Sequence, residues 1–447
     1  MSRRLNILIL YVSNQYPMRA TLWDQLYCFR RYSDHNCFYL NFTVRRVPWY
    51  LKHVKFDLIV FGTLFLATRA VAEWFRDPRE RARPLKSFDA VKIAFPQDEY
   101  LCSDVLADFI NEFSIERVFT LAPKTEWPKI YDRIDMARVK LSRVLPGYLD
   151  DGTVERIEGL APAGAPRDID LGYRTFRAAP NLGRHGFLRQ QIAEVFQAEA
   201  PKHNLQTDIS TRKEDTLWAD AWYKFLLRCK YTISVEGGAT VLDRDGSIQR
   251  RTQSYFAEHP NASFEEVERT CFPGLDGGLR YMAISPRHLE ACATRTCQVL
   301  VEGKYNDVLV PGRHYLELKR DFSNLEQVLE AIKRDDLRQE ITEQAFRDIV
   351  ASGNYTYRSF VEHVLGEAVP EAEQDSVESS GLSTALIYQW MRLSDFIAWV
   401  QVALNLYSFG AQLRNKTRRL LAALVSEETV VSLLRRFRQS GSKGRVR

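Results

Sequence analysis

The sequence predicts an α/β protein made of two facing, doubly wound Rossmann-like domains, followed by amphipathic helices at the C-terminus. Three observations carry this expectation. Continuous apolar runs alternate with helix-like spacing in two successive series; a stretch rich in Pro, Gly and Asp separates the series; and the final segment turns into apolar helices with basic ends. Runs that are apolar on every residue suit strands buried on both faces, as in parallel sheets covered by helices.

The first series opens with "LNILILYV", a continuous apolar strand, followed by "RATLWDQLYCFRRY" at helical spacing. "NCFYLNF", "FDLIVFG", "VKIAFPQDEY" and "RVFTLA" read as further strands, with helices such as "ATRAVAEWFRD" and "DVLADFINEF" between them. This places an N-terminal domain over residues 1–150. "PGYLDDGTVERIEGLAPAGAPRD", residues 146–168, reads as the linker. A second domain, 151–365, repeats the alternation through "IDLGYRT", "LQTDIS", "YTISVEGG", "CQVLVEG" and "HYLELKRD". Residues 366–381 form an acidic, apolar-poor tether, and 382–447 a basic amphipathic helical tail. Two such halves leave a cleft between their strand C-termini, where open α/β sheets bind ligands.

Composition sets limits on function. A chain of 447 residues with 45% hydrophobic content can bury the cores of two domains. Its seven cysteines are odd in number and lack a Cys-x-x-Cys pair, which argues against a disulfide framework or a thiolate zinc site and points to the reducing cytosol. The apolar run of "MSRRLNILILYV" is followed by Ser13, Asn14 and Gln15 rather than a small-residue cleavage site, so it reads as a buried first strand. No apolar run approaches the roughly 20 residues of a spanning helix. The formal net charge is +5, yet the stretch from Ser408 onward holds ten Lys and Arg against two Glu. Positive charge gathered in a tail, rather than along a groove, excludes nucleic acid as the expected partner.

The chemistry is sought in the second half, because no P-loop is present and the first strand runs into Tyr-Val-Ser-Asn-Gln instead of Gly-x-Gly-x-x-Gly. In "ISPRHLEACATRTCQVLVEG", Ser285 suits a helix cap and Pro286 its first position. Free N–H groups there, with Arg287 and His288, form an anion site, and Glu290 one turn in can accept the hydroxyls of a ribose. Ordinary capping with a surface glutamate accounts for the same spacing.

"ISPRHLEACATRTCQVLVEGKYNDVLVPGRHYLELKRDFSNLEQVLEAI", with "VEGGATVLDRDG" and "GLDGGLRY", resembles the C-terminal, donor-binding half of GT-B glycosyltransferases. The likeness is to the bacterial glycosyltransferase family 1-like and spore-maturation-protein-B-like groups, over residues 169–365. It implies a nucleotide-sugar donor in the second domain and an acceptor in the first. Carried over by position, Arg287 and the amides of Ser285 to His288 meet the diphosphate and Glu290 the ribose. Arg174 is a second phosphate candidate; Glu236, Gly237 and Gly238 approach the base or sugar; Tyr305, Asn306 and Asp307 border the sugar. The retaining pattern of two glutamates eight positions apart is missing, since Met282 stands where the first would be. An inverting reaction then needs a base from the acceptor domain, for which "FPQDEY" offers Asp98 and Glu99 after a strand. No metal is expected: "DRD", Asp243 and Asp245, sits in a turn, and GT-B sites neutralise phosphate with helix dipoles and arginine. No cofactor is expected beyond the donor itself.

In the tail, Tyr388, Trp390, Trp399, Tyr407 and Phe409 stand among aliphatic residues before arginine clusters, a pattern that suits a membrane interface, while packing on a partner or a second copy would use the same faces. The combined expectation is a metal-independent hexosyltransferase with a glycan or lipid-linked saccharide acceptor, in bacterial surface polysaccharide or lipopolysaccharide synthesis. It would be cytoplasmic and peripheral on the inner membrane face. A nucleotide-sugar epimerase of the same architecture and a non-catalytic scaffold are the alternatives.

Overall fold

The computed structural model describes residues 3–161, 166–176, 178–369 and 382–404. The first domain holds six parallel strands: β1 (Asn6–Tyr11), β2 (Asn36–Asn41), β3 (Leu58–Phe61), β4 (Val91–Ala94), β5 (Arg117–Thr120) and β6 (Lys140–Arg143), in the order β2-β1-β3-β4-β5-β6. Every residue of β1 is buried, as its unbroken apolar run requires. The second domain holds β7 (Ile169–Arg174), β8 (Thr207–Ser210), β9 (Cys229–Ser234), β12 (Cys297–Val301) and β13 (Leu316–Leu318), all parallel, in the order β13-β12-β9-β7-β8. Between β9 and β12 lies a small antiparallel pair, β10 (Gly237–Ala239) and β11 (Tyr281–Ala283). The two doubly wound sheets expected from the sequence are both present.

Three segments differ from the sequence reading. The 146–168 linker contains the helix Asp151–Leu160, started by Asp150, whose carboxylate accepts from Thr153 N at 3.2 Å. Its Ile157 is buried, so the segment is docked as well as connecting. The helix Tyr357–Ala368, expected in the second domain, packs its Phe360 on Phe95 and Phe29 of the first, with ring centroids 5.5 and 6.3 Å apart. Residues 370–381, the core of the acidic tether, lie outside the described residues.

The third difference concerns the tail. The helix Leu382–Ala403 is part of the first domain: Met391, Ala398, Trp399 and Val402 are buried against its core. Tyr388 meets Phe38 of β2 edge-on at 5.0 Å, and Trp390 donates to the Tyr50 hydroxyl at 3.0 Å. Asp395, buried on the same face, accepts from the phenols of Tyr11 (2.7 Å) and Tyr27 (2.9 Å), while Trp399 Nε1 donates to Tyr27 at 2.5 Å. Tyr388, Trp390 and Trp399, expected at a lipid interface, therefore spend their rings or polar atoms inside the protein. An amphipathic face looks the same in sequence whichever apolar surface covers it. Tyr407, Phe409 and the arginine clusters lie beyond the described residues. No described helix is long and apolar enough to cross a membrane.

Polar contacts lock the domains together at one end of the cleft. Asp243 N donates to Tyr100 O at 2.8 Å and Cys102 N to Asp243 O at 2.6 Å, bridging the loop after β4 to the segment after β10. Arg244 then pairs with Asp104 at 3.1 Å and Asp132 at 2.9 Å.

Candidate active site in the interdomain cleft

In the second sheet the strand order reverses between β7 and β9, which makes their C-terminal ends the place to look for a ligand. A crevice there is lined by Tyr173, Arg174, Trp222, Ser234, Arg287 and His288, among others. The helix Pro286–Ala293 delivers Arg287 to it. Ser285 caps this helix by accepting from Arg287 N at 3.4 Å, and His288 Nδ1 accepts from Ser285 N at 2.9 Å, a reciprocal capping box. His288 N itself donates to Ser285 O at 3.0 Å. The amides of residues 285, 287 and 288, expected to meet a diphosphate, are thus engaged within the turn, and the anion-binding capacity passes to side chains. With Nδ1 accepting, His288 carries its proton on Nε2, a buried donor with no hydrogen-bond partner among the described residues. Burial lowers its pKa to about 3, so the ring is neutral.

Arg287 donates one N–H to Arg174 O at 2.8 Å and lies over the Trp222 ring at 5.7 Å. Burial pulls its pKa down, as expected of a cation without a counter-charge in contact. Beside it stands Arg189, from the helix Arg184–Glu199, close enough to lower the pKa of Arg287 further and to approach Gly237. Among the described residues the Arg189 guanidinium has no hydrogen-bond or ion-pair partner. The two like charges repel one another, and an anion bound near both would relieve that repulsion. Arg174 contributes less than expected. It is committed to Asp208, at 2.7 Å to the carboxylate and 2.8 Å to the carbonyl, and covers Phe225 at 4.4 Å.

Glu290 is buried and accepts from Trp222 Nε1 at 2.8 Å, with the Tyr223 hydroxyl at 3.5 Å. Burial raises its pKa, and Asp24 of the first domain adds to the rise. It faces the other domain, but with part of its accepting capacity already used.

Glu236, Gly237 and Gly238 serve the framework more than a ligand. The Glu236 carboxylate accepts from Tyr305 N at 2.7 Å and Lys304 N at 3.3 Å. Gly303 permits this, because a Cβ there would stand 2.4 Å from Glu236 Oε2. Gly238, at φ 142°, lets β10 cross β11; a Cβ would fall 1.8 Å from Tyr281 O. Tyr305 is fully buried with its hydroxyl on Val301 O at 2.6 Å, and Asn306 Oδ1 accepts from Ile284 N at 2.8 Å, so the phenol and that amide oxygen are committed within the protein. Tyr305, Asn306 and Asp307 all take positive φ, a strained turn that exposes Asp307 at the cleft.

The first domain contributes Asp98 and Arg143. Asp98 follows β4 at φ 54° and is exposed at the rim, where partial desolvation of its carboxyl raises the pKa. Arg69 fixes the turn by donating to Gln97 O at 2.7 Å and Asp98 O at 2.9 Å. Arg189 reaches it electrostatically from across the cleft. Glu99, expected beside it at the rim, is fully buried. It accepts from Thr120 Oγ1 (2.5 Å), Leu121 N (3.0 Å), Tyr131 (3.1 Å) and the Tyr281 phenol of the second domain. A carboxylate with four donors and no solvent cannot take a proton from substrate, so Glu99 is a brace between domains. Arg143, at the end of β6, donates to Met282 O at 3.4 Å and lies near Asp307 and Glu236.

Sequence reasoning missed Arg189, Arg143 and Trp222. Arg143 alone had a readable signal, a basic residue closing a strand. The "DRD" acids cap a helix, Asp243 accepting from Gln249 N at 2.8 Å and Asp245 from Ser247 N at 2.9 Å.

No protein-family model matches the chain. No curated protein sequence matches it either. Among solved structures it is similar to TarM, with a TM-score of 0.42 and 12% identity over 71% of this chain. It spans 56% of TarM's length. It is also similar to Anabaena HepE in complex with UDP-glucose (TM-score 0.43, 10% identity, 81% of this chain and 100% of that one). A third is sucrose-phosphate synthase from Thermosynechococcus elongatus (TM-score 0.44, 10% identity, 81% and 97%).

Proposed function

We propose that the protein is a metal-independent glycosyltransferase of GT-B architecture, moving a sugar from a nucleotide diphosphate donor to an acceptor hydroxyl. The observation that carries this reading is Arg287, lining the crevice at the switch point of the second sheet with no ion-pair partner among the described residues, while Arg189 lies close enough to act both on it and on Asp98 across the cleft. A diphosphate between the two guanidinium groups, with His288 Nε2–H as a further donor, would be stabilised most as its leaving oxygen gains charge. Glu290 retains lone pairs for the ribose. The Asp98 carboxylate removes the acceptor proton as its oxygen bonds to the anomeric carbon; the bond from that carbon to the phosphate oxygen breaks, and its electron pair leaves with the nucleotide. Attack from the side opposite the phosphate inverts the anomeric centre.

The test is a melting-temperature screen with nucleotide sugars, followed by nucleotide release in the presence of chelator. A donor that binds only the folded state raises the melting temperature. The reading predicts a rise of several degrees for at least one nucleotide sugar and release insensitive to EDTA. No rise with any donor would remove the reading, and release abolished by EDTA would remove its metal independence. The ten cations beyond Ser408 further support contact with an anionic membrane surface, and hence an acceptor carried there, as in surface polysaccharide synthesis.

A further inference from the structure

We propose that the outer face of the helix Leu382–Ala403 docks on an anionic membrane surface and seats the bilayer beside the mouth of the cleft. The proposal rests on the membrane-borne acceptor of the reading above and names the surface by which the protein meets it. The helix is apolar on two opposite sides. Its inner side is covered by the first domain, through Met391, Trp399 and Val402. On the other side Leu386, Leu393, Phe396 and Val400 stand exposed along about 21 Å of helix, followed by Leu404. Phe396 is 65% exposed and Leu404 60%. A helix apolar all round belongs in an interior, and an exposed stripe of this length marks an interaction surface.

Charge selects the occupant. The helix has one acid, Asp395, and it is turned inward onto Tyr11 and Tyr27. The exposed polar side chains of its described residues are Ser383, Gln389 and Arg392, so the charge on the outer face is positive. Shortly after Leu404 begins the stretch with ten Lys and Arg against two Glu. An apolar stripe continued by cations matches a bilayer interface, whose hydrocarbon takes the stripe and whose anionic headgroups take the charge. A second copy would bring two such cationic segments together, and their repulsion disfavours it.

The helix points toward the cleft. Tyr388 lies against Phe38, within β2, and Trp399 stacks on Tyr11, the last residue of β1, at 5.8 Å. It thus runs along the sheet toward the C-terminal strand ends, the side on which the cleft opens. The loop after β1 holds Tyr16 there, its ring 6.1 Å from Trp399. Arg19, at the end of the same loop, covers Trp218 of the second domain at 5.1 Å. A bilayer against the stripe therefore borders a loop that reaches the second domain, and a lipid-linked acceptor can offer its hydroxyl to Asp98 while its lipid stays in the membrane.

Sedimentation of the full-length protein with vesicles tests the face. It should bind phosphatidylcholine vesicles containing about a quarter phosphatidylglycerol roughly tenfold more tightly than phosphatidylcholine alone. The double substitution Leu393→Gln and Phe396→Gln leaves every charge in place and should weaken that binding by about tenfold or more. Its melting temperature should match the parent's, since both side chains are exposed; Val400→Ser gives the same reading should the pair disturb folding. Trp74→Gln, which removes an exposed ring from the helix Ala72–Ala82, should leave vesicle binding unchanged. Binding that the double variant keeps in full would assign the contact to the cations alone and overturn the face. So would a dimer in light scattering that the same variant dissociates. Vesicle binding is read apart from the melting rise given by a nucleotide sugar: binding without that rise sustains the face and removes the donor reading, and the reverse removes the face alone.

Discussion

The phenol of Tyr281, in the second domain, donates to the carboxylate of Glu99, in the first. The contact is fully buried and joins β11 to the loop that carries Asp98. Removing the carboxylate strands the Tyr281, Tyr131 and Thr120 hydroxyls, so Glu99→Ala should cost about 3 kcal/mol in chemical denaturation. The charge adds a pH signature. Burial raises the Glu99 pKa, so the folded state holds this proton to higher pH than the unfolded chain, whose value is about 4.3. Its stabilising contribution is complete below the unfolded value and is lost as pH rises through the folded one. Glu99→Gln should therefore lose less stability than the parent between pH 5 and pH 8.

Asp98→Asn should lower the transfer rate by about 10²- to 10⁴-fold, the usual contribution of a general base. Donor affinity should be unchanged. Because the base must be ionised and its pKa is raised by desolvation, transfer in the parent should fall on acidification at a pH above the ordinary carboxylate range. A pH–rate profile with its acidic limb at about 4 or below would assign the base elsewhere.

Arg189→Ala and Arg287→Ala should each weaken nucleotide-sugar binding by about ten- to hundredfold, the worth of one charged hydrogen bond in a closed site. Arg174→Ala should weaken it far less, since Asp208 already holds that guanidinium. Isothermal titration with the free nucleotide diphosphate separates these outcomes, and equal losses at Arg174 and Arg189 would contradict the geometry.

Asp395→Ala leaves the Tyr11 and Tyr27 phenols without their acceptor, and ending the chain after Val369 uncovers β2. The substitution should lower the melting temperature by several degrees. The truncation should expose Phe38 and Tyr27 and give a protein that binds hydrophobic dyes, because Met391, Trp399 and Val402 each contribute about 2 kcal/mol of burial. A truncated protein as stable as the full chain would show the helix to be an appendage.

Much of the fold was legible because its signals are local. "NILILY" can only be a strand buried on both faces, and Ser285-Pro286 announces a helix. Arg287 was legible for the same reason, being tied to a helix start. Asp98 and Glu99 could not be told apart: one residue separates an acid in the cleft from an acid in the core, and the positive φ that divides them leaves no mark on an Asp-Glu pair. Arg189 is one of two arginines on an ordinary helix, and its importance comes from Asp98 and Arg287, both far away in sequence. The destination of Leu382–Ala403 was hidden because its partner, β2, lies about 350 residues earlier, as the Tyr388–Phe38 contact illustrates.

That last pairing bears on how the chain is made. The first strands leave the ribosome long before the helix that closes their outer edge, so β2 must wait through synthesis of the whole second domain with Phe38 and Tyr27 uncovered. The N-terminal half is thus an unfinished body during translation, with apolar surface open to misassociation until the helix Leu382–Ala403 arrives.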